Sequence, residues 1–575
     1  MKPNKNRKDE GFVFVSIILL TAILEGYAAT SLIGQLRDIR MAQYNQMKLA
    51  SMYAAQGAME QGLARLADRI ANFDVASILP DTDYVVNYAD GRTTATYRIR
   101  CAPPTVASTP LANCPVYMLA EGGVNKAAQD FEVVASAANP DNTGMATTAS
   151  SRIHQIAALK QTNIFAYSIF YNSDLEVLPG PNMTMTGQIH ANGSIYMGSN
   201  ATLTLDSNYV HATGDIYRHR KDSSQTYGDT AIRIRKDGTS GACGSSTCPY
   251  VTFDNMATTN ASLSTSTWNG SVQGVGHGVG FVQPVTIPSI QPGGFYYNNA
   301  GLRIIYDPST GTQVYQRGAG GSYTNITTSL NANCPGAVTQ RQFRNNRENS
   351  NYDVVVTEVD VSKINGTACS TNYFPSNGLI YTSRTDAQPA AGQFSATSHG
   401  IRLINGSQAT PTGSSTGLTV VSNDPLYVKG DFNTVNRKSV ALISDSMNIL
   451  SNNWLDSNPN NLSSRVAANS TVNAGFVSGI VPTAGSQYSG GFENYPRFLE
   501  NWTNQTVTIG GAFINLWNSS IGNGQWVYGG NQYTAPNRTW AYDSGLQSSP
   551  PPFTPVGVEV TTKTWWQEAK ESIYL

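Results

Sequence analysis

The sequence predicts an α+β protein that is mainly β, with a long N-terminal helix, a small sheet, and a large head built as a β-solenoid or a sandwich. Three observations predict this class. Apolar residues near the N-terminus recur at helical spacing without a proline. Short β-branched segments between Gly and Asn turns fill most of the remaining chain. One segment, HANGSIY at 190–196, returns as HATGDIY at 211–217, and this spacing suits one coil of a solenoid.

The composition narrows the class of partners. The chain has 575 residues, of which 13% are charged, and its net charge is −1. A nucleic-acid binder needs a basic face to neutralise phosphates, so no nucleic-acid partner is expected. Low charge with abundant Asn, Ser, Thr and Gly is typical of an extracytoplasmic β protein.

The N-terminus predicts a membrane helix. Residues 1–11 form a basic leader, which holds this end in the cytoplasm and sends the rest outward. Between Phe12 and Leu36 the only formal charge is Glu25, and about 20 apolar residues suffice to cross a bilayer. The helical pattern continues, now amphipathic, to residue 73. We expect one span, N-in and C-out.

The apolar run after the leader has two other interpretations. A cleaved secretory signal would place its cleavage site in the small residues GYAAT after Glu25, but the uninterrupted helical pattern that follows disfavours cleavage there. An uncleaved signal anchor would carry the same apolar run and remains an alternative.

The leader ending in Gly11, the following Phe12, the apolar run and the Ala-rich segment AAQGAMEQGLARL together resemble the N-terminus of type IV pilin-like proteins, and within them the PilX-like minor pilins. The resemblance covers about 75 residues. It implies that a prepilin peptidase cuts after Gly11, that Phe12 becomes N-methylated, and that other pilin or pseudopilin subunits pack against the helix. The subunit would lie in the inner membrane before assembly and in a surface pilus or periplasmic pseudopilus afterwards.

One position departs from the family pattern. Major pilins carry a Glu at the fifth mature position, thought to neutralise a neighbour's amino terminus, and here that position is Ser16. A buried charge needs a partner, so this subunit cannot offer the usual pairing. In the similar pseudopilin K of type II secretion the same absence accompanies a bulky domain at the tip. Glu25, at the fourteenth mature position, lies too far along to substitute, and no role is assigned to it.

Residues 74–160 predict a small pilin-like sheet. The segment TDYVVNYADGRTTATYRIR alternates apolar and polar residues across Asp90–Gly91, which indicates a hairpin, and FEVVASAA and SSRIHQIAAL add strands. The six cysteines fall into three sequence-local couples: Cys101 with Cys114, Cys243 with Cys248, and Cys334 with Cys369. Disulfides are expected, although six cysteines allow fifteen pairings and the sequence does not choose among them. A zinc site is disfavoured, since no couple is a CxxC and no His lies at ligand spacing.

Residues 161–450 predict the β-rich head, with a loop-rich insertion at 235–375, and residues 451–575 an aromatic-rich C-terminal β region. Its Trp and Tyr side chains are expected mainly in a core, with stacking on glycans as the alternative. His190 and His211 occupy equivalent repeat positions and are interpreted as a structural ladder rather than a metal site.

Few segments of the head resemble catalytic or ligand-binding motifs. GVGHGVG (274–280) lacks the strand-to-helix context of a phosphate loop, and GSSTG (413–417) lacks that of a nucleophile elbow. DSNPNN (456–461) begins like a calcium loop but lacks its Gly and final Glu, so capping is expected, with calcium as the alternative. Several acids occur on the predicted coils without forming an obvious catalytic pair: Asp206, Asp215, Asp424, Asp431 and Asp445.

These observations favour a non-enzymatic minor pilin or pseudopilin without a cofactor, placed at or near a filament tip for assembly priming or surface adhesion. The alternative function is a membrane-anchored β-solenoid that binds or cleaves polysaccharide.

Overall fold

The computed structural model describes residues 8–89, 93–103, 109–121, 124–140, 148–223, 225–348, 353–386, 398–458 and 461–568. Leader residues 1–7 and the Asp90–Gly91 turn lie outside the described residues. The described chain consists of a long N-terminal helix, a small antiparallel sheet and a large region of mostly parallel strands. The mainly-β class with a long apolar N-terminal helix is therefore confirmed.

Helix α1 (Lys8–Ala71) has 64 residues and is about 95 Å long at 1.5 Å per residue. It ends where Phe73 adopts a left-handed backbone conformation, with a φ of 59°. Small side chains let its C-terminal half lie close to the sheet. A Cβ at Gly62 would come within 2.9 Å of the Tyr97 ring and of Val133. Glycine at position 62 therefore allows this half of the helix to lie close to the sheet.

The small sheet lies against that half of α1. Its first strands are β1 (Tyr84–Asn87), β2 (Thr94–Cys101), β3 (Val116–Glu121), β4 (Val124–Pro140) and β5 (Thr148–Asn163). All neighbouring pairs are antiparallel, and β1 pairs with β2 as the alternating pattern predicts. A disulfide joins Cys101 to Cys114 beside β2. The helix and sheet share one apolar core.

The head begins with strands that return at nearly constant spacing. They are β6 (Tyr167–Tyr171), β7 (Leu175–Val177), β8 (Met183–Thr186), β9 (Gln188–Ala191), β10 (Ile195–Met197), β11 (Leu203–Asp206), β12 (Val210–Ala212), β13 (Ile216–Tyr217), β14 (Ile232–Ile234) and β15 (Val272–Gln273). Every third strand pairs in parallel, so each turn of chain adds one strand to each of three sheets.

The segment expected to be loop-rich, 235–375, contains regular structure as well as loops. It holds α2 (Ala261–Trp268), α3 (Phe295–Asn299), β16 (Leu302–Asp307), β17 (Gly311–Arg317), β18 (Tyr323–Asn325), α4 (Thr327–Asn333), β19 (Val338–Arg344), β20 (Asp353–Asp360) and α5 (Val361–Ile364). Both other disulfides lie in or at the border of this segment, Cys243 with Cys248 and Cys334 with Cys369. Strands β16 to β18 form an antiparallel border to the head.

The second half of the head repeats the parallel arrangement. Its strands are β21 (Leu379–Arg384), β22 (Ser398–Ile404), β23 (Leu418–Ser422), β24 (Leu426–Lys429), β25 (Val440–Ser444), β26 (Met447–Leu450), β27 (Ser470–Val472), β28 (Gly475–Ile480), β29 (Arg497–Phe498), β30 (Thr506–Asn518) and β31 (Asn537–Tyr542). One sheet runs β16-β21-β23-β25-β28-β30, and a second runs β20-β22-β24-β26-β29.

The two halves of the head meet through β30 and β6. These strands pair in parallel, with Phe513 opposite Ile169, and make one continuous sheet of the two halves. On the neighbouring face, among the described residues, the sheet that ends at β29 and the sheet that ends at β7 are not joined. The chain therefore enters the stack in its middle, and one face is interrupted at that junction.

The chain returns to the small sheet after α6 (Gly545–Ser548). Strand β32 (Val556–Gln567) pairs antiparallel with β5, with Val560 opposite Leu159. The head is thus inserted between two adjacent strands of the small sheet, an arrangement that the sequence did not predict.

Candidate functional site

The N-terminal half of α1 is an uncovered apolar surface. Every large apolar side chain from Phe12 to Leu36 is at least 46% exposed. Among the described residues this is the helix long and apolar enough to cross a membrane. Apolar area on this scale is stable only when lipid or other apolar helices cover it, because each exposed Leu or Phe forgoes about 1.5–3 kcal/mol of burial.

The polar groups of this surface are mostly satisfied within the helix. The hydroxyl of Ser16 donates to the carbonyl oxygen of Phe12 at 2.8 Å, and that of Thr21 donates to Ile17 at 2.8 Å. The carboxylate of Glu25 makes no hydrogen bond or ion pair with the described residues. Gly26, beside it, has open space where a Cβ would lie. Glu25 is the group on this face that needs an external partner.

The predicted processing point lies within this surface. Gly11 and Phe12 are both in α1, and Phe12 is among its most exposed side chains. Ser16 and Glu25, the other predicted assembly positions, project from the same uncovered half. The structure thus brings the four residues onto one helix segment, and their processing and assembly roles stay predictions.

The C-terminal end of α1 is fixed to the head. The side-chain oxygen of Asn72 accepts hydrogen bonds from the Thr286 amide at 2.9 Å, the Thr286 hydroxyl at 2.8 Å and the Ser289 hydroxyl at 2.7 Å. The next ring, Phe73, stacks on Phe295 with centroids 4.2 Å apart. The segment that ends the helix is therefore bound directly to the head.

The histidine ladder has the predicted register. His190 lies opposite His211 in the β9–β12 pair, and the Phe170 ring stacks on His190. Burial lowers the pKa of His190 to about 4 and that of His211 to about 3, so both rings are neutral near neutral pH. The rings fill space between turns.

The five acids on the stack are engaged by neighbours in the fold. Asp445, for example, accepts from the amides of Ser520 at 2.6 Å and Gly522 at 2.7 Å. The others bind backbone amides or a basic side chain: Asp206, Asp215, Asp424 and Asp431. Asp206 also lies near Cys243 and Cys248, but those sulfurs form a disulfide and are not thiolate ligands.

The remaining sequence motifs have structural surroundings. Residues 274–280 include a short 3-10 turn, Val275–His277, and residues 413–417 form a loop before β23. The carboxylate of Asp456 receives two hydrogen bonds from Arg402, at 2.5 and 2.7 Å. Arg402 therefore occupies both carboxylate oxygens of Asp456, the first residue of the segment that begins like a calcium loop. Residues 459–460 of this segment lie outside the described residues.

The C-terminal aromatic residues lie partly in a core. Tyr495, Trp502 and Tyr533 are buried, whereas Tyr528, Trp565 and Trp566 are exposed. Sequence reasoning missed Glu176, a buried carboxylate on β7. Its only sequence signal is a lone acid between two apolar residues of a short strand.

Comparisons with known proteins add little to this geometry. No protein-family model matches the chain, and no curated protein matches its sequence. Among solved structures, the competence-associated pilin ComZ from Thermus thermophilus is similar at 9% identity over 91% of this chain and 98% of that one, with a TM-score of 0.25. At that TM-score the likeness carries no argument about fold or function.

Proposed function

We propose that this chain is a non-enzymatic minor pilin or pseudopilin, of the PilX-like kind, carried at or near the tip of a type IV pilus or type II secretion pseudopilus. The observation that carries the proposal is the division of α1. Its C-terminal half is packed into the small sheet, while the apolar half from Phe12 to Leu36 is uncovered and follows a Gly–Phe step. Such a surface suits lipid first and neighbouring subunits afterwards.

The structure of the head supports a role in presenting a surface at the filament end rather than in forming the body of the filament. We interpret its stacked parallel turns as a β-solenoid. It is held to α1 through Asn72 and to the small sheet through β5 and β32. The head would therefore prime assembly or contact a surface beyond the filament end.

Processing is tested on material sheared from cells. We expect mass spectrometry to find a subunit that begins at N-methylated Phe12, after cleavage by a prepilin peptidase in an N-in, C-out orientation in the inner membrane. Recovery of an intact N-terminus with Met1 would overturn processing and favour a plain membrane anchor.

Tip placement is tested by restoring the missing acid. The Ser16 hydroxyl donates to its own helix and carries no charge, so it cannot neutralise a neighbour's amine. We expect Ser16→Glu to move immunogold label from filament ends to positions along the filament. Thr21→Glu, which places the same charge on the same surface, serves as the matched control and should not redistribute the label. Equal labelling along wild-type filaments would contradict tip placement.

A further inference from the structure

The interrupted face of the head contains a polar cavity. It lies where the sheet ending at β29 stops short of the sheet ending at β7, and its volume is about 170 Å³. At roughly 30 Å³ per molecule, that is room for five or six waters, or for one small polar ligand. Half-buried residues at its rim, Lys221 and Val481, connect it to solvent.

The base of the cavity carries an unsatisfied acceptor. Glu176 on β7 is 5% exposed. Its Oε1 accepts from the hydroxyls of Thr483 and Ser489, but its Oε2 is buried without a hydrogen-bond partner among the described residues. An unpaired carboxylate oxygen is costly inside a protein, and burial raises the pKa of this group. Such a residue destabilises the fold unless a ligand completes it.

The lining also carries unsatisfied donors. The Nε of Arg347 donates to the carbonyl oxygen of Gly524 at 3.2 Å, while its two terminal nitrogens make no hydrogen bond within the described chain. Its neighbour Arg497 is already bound to Glu348 and Gly522. Arg347 is therefore the wall's available donor.

The charges of the lining exclude two ligand classes. Arg347 repels a metal ion, whereas Lys221 is paired with Asp174 at 2.8 Å and Arg497 with Glu348. The carboxylate of Glu176 repels an anion. A neutral ligand that both donates and accepts hydrogen bonds meets neither penalty.

The rest of the lining is mixed. It includes the rings of Tyr171, Phe492 and Tyr495, each only 2% exposed, together with smaller apolar side chains such as Ile480. The Tyr495 hydroxyl donates to the Ile514 carbonyl at 2.7 Å. An apolar lining beside an acceptor and a forked donor matches the C–H groups and vicinal hydroxyls of a sugar.

We propose that this junction cavity binds one uncharged sugar residue, such as the end of a glycan chain, with hydroxyls bound to Glu176 and Arg347 and its C–H groups toward the apolar part of the lining. The inference rests on the proposed function in its adhesive form and names the ligand class of the head.

The test uses the full chain in detergent. Binding of neutral monosaccharides (glucose, galactose, mannose, fucose and N-acetylglucosamine) is measured by NMR saturation transfer at about 10 mM, tenfold above a Kd of roughly 1 mM. We expect at least one sugar to bind, and Glu176→Gln to weaken it at least about tenfold, because a hydrogen bond to a charged group is lost. The melting temperature of Glu176→Gln should not fall, since the substitution removes a buried charge.

The control is Glu60→Gln, which removes an exposed carboxylate from α1, far from the cavity, and should leave binding unchanged. If Glu176→Gln does not fold, Ser489→Ala tests the same carboxylate through its hydroxyl partner. The inference is overturned if no sugar binds, if Glu176→Gln binds as well as the wild type, or if Ca²⁺ alone occupies the cavity.

This result is separable from the proposed function. A subunit that begins at methylated Phe12 but binds no sugar overturns the cavity inference alone. A chain that binds sugar but retains Met1 overturns the pilin proposal alone and favours the membrane-anchored polysaccharide binder.

Discussion

From Phe12 to Ala42, helix α1 carries its most apolar residues and exposes nearly all of them, whereas from Ser51 to Ala71 it is rich in small residues and buried against the small sheet. The two halves are one uninterrupted helix. Apolarity alone therefore does not decide which half is covered within the chain.

The difference lies in shape. The packed half places Ala and Gly where rings of the sheet approach, while the uncovered half presents long side chains around its whole circumference. A helix that is apolar all round has no preferred internal partner and suits lipid or a bundle of similar helices. Paired substitutions, each comparing a buried position with one in the uncovered half, test this contrast.

The largest difference is expected for leucine. Leu66 is fully buried and Leu20 is exposed. Leu66→Ala should lower the free energy of unfolding of the small sheet by about 2–5 kcal/mol, the usual cost of a core cavity. Leu20→Ala should change it by less than about 0.5 kcal/mol. Hydrogen exchange of the β4 and β5 amides measures both, and equal effects would show that the halves are not energetically distinct.

The second contrast concerns acids and pH. Burial raises the pKa of Glu500 from 4.5 to about 7, while the carboxylate accepts from the amide of Ser451 at 2.6 Å. Between pH 4.5 and about 7 the folded chain keeps a proton that the unfolded chain has released, so the free energy of unfolding falls as pH rises through that window, by up to about 3 kcal/mol.

Glu500→Gln should reduce that fall without abolishing it, because burial also raises the pKa of Glu493 to about 7. Glu25→Gln, in the uncovered half, should leave the fall unchanged. Chemical denaturation of the head at several pH values provides the measurement. Below about pH 6.5 the neutral His190 acts with the opposite sign, because its lowered pKa makes stability fall on acidification to about pH 4. Glu500→Gln should therefore preserve the loss of stability below about pH 6.5 that His190 causes. Loss of both pH dependences would indicate that the variant is generally unfolded.

Glycine gives the third contrast. Gly62→Ala forces a Cβ to within 2.9 Å of Tyr97, whereas Gly26 has open space. Ala favours a helix over Gly by about 1 kcal/mol, and overpacking costs about 1–3 kcal/mol. We expect Gly62→Ala to destabilise the sheet by about 1 kcal/mol and Gly26→Ala to leave it unchanged. Thermal unfolding in detergent distinguishes them, and a stabilised Gly62→Ala would show that the contact relaxes freely.

The smallest contrast is between two serines. Ser51 is buried and its hydroxyl shares a 2.9 Å hydrogen bond with Ser151, whereas Ser16 bonds only its own helix. Ser51→Ala should cost about 0.5–1.5 kcal/mol of folding free energy and Ser16→Ala close to nothing. The midpoints of denaturant unfolding measure the difference, provided that both variants keep the wild-type dependence of the unfolding free energy on denaturant. A larger loss for Ser16→Ala would contradict the assignment of one half of the helix as packed and the other as uncovered.

Local patterns in the sequence predict local structure well. The helical spacing after Phe12 and the alternation on either side of Asp90–Gly91 both involve neighbours within a few residues, and the structure contains the helix and the antiparallel β1–β2 pair. The two-copy repeat also places His190 opposite His211. These features depend on periodicity, which a single sequence displays directly.

Distant pairings escape the same reasoning. Nothing near Val560 indicates that it lies opposite Leu159, and nothing near Phe513 indicates Ile169. Each pairing joins segments hundreds of residues apart, so no local spacing encodes it. The cavity depends on one of these junctions, which is why Glu176 was not recognised from its short strand.

The return of β32 to β5 also sets an order of events during synthesis. Strand β5 is made before the head and its outer partner β32 after it, so the small sheet gains that partner only once the whole head has been synthesised. Until then the outer edge of β5 is open to mispairing. A chain interrupted anywhere in the head would keep its apolar helix but leave that edge unpaired. The small sheet is therefore complete only in a chain whose head has been made in full.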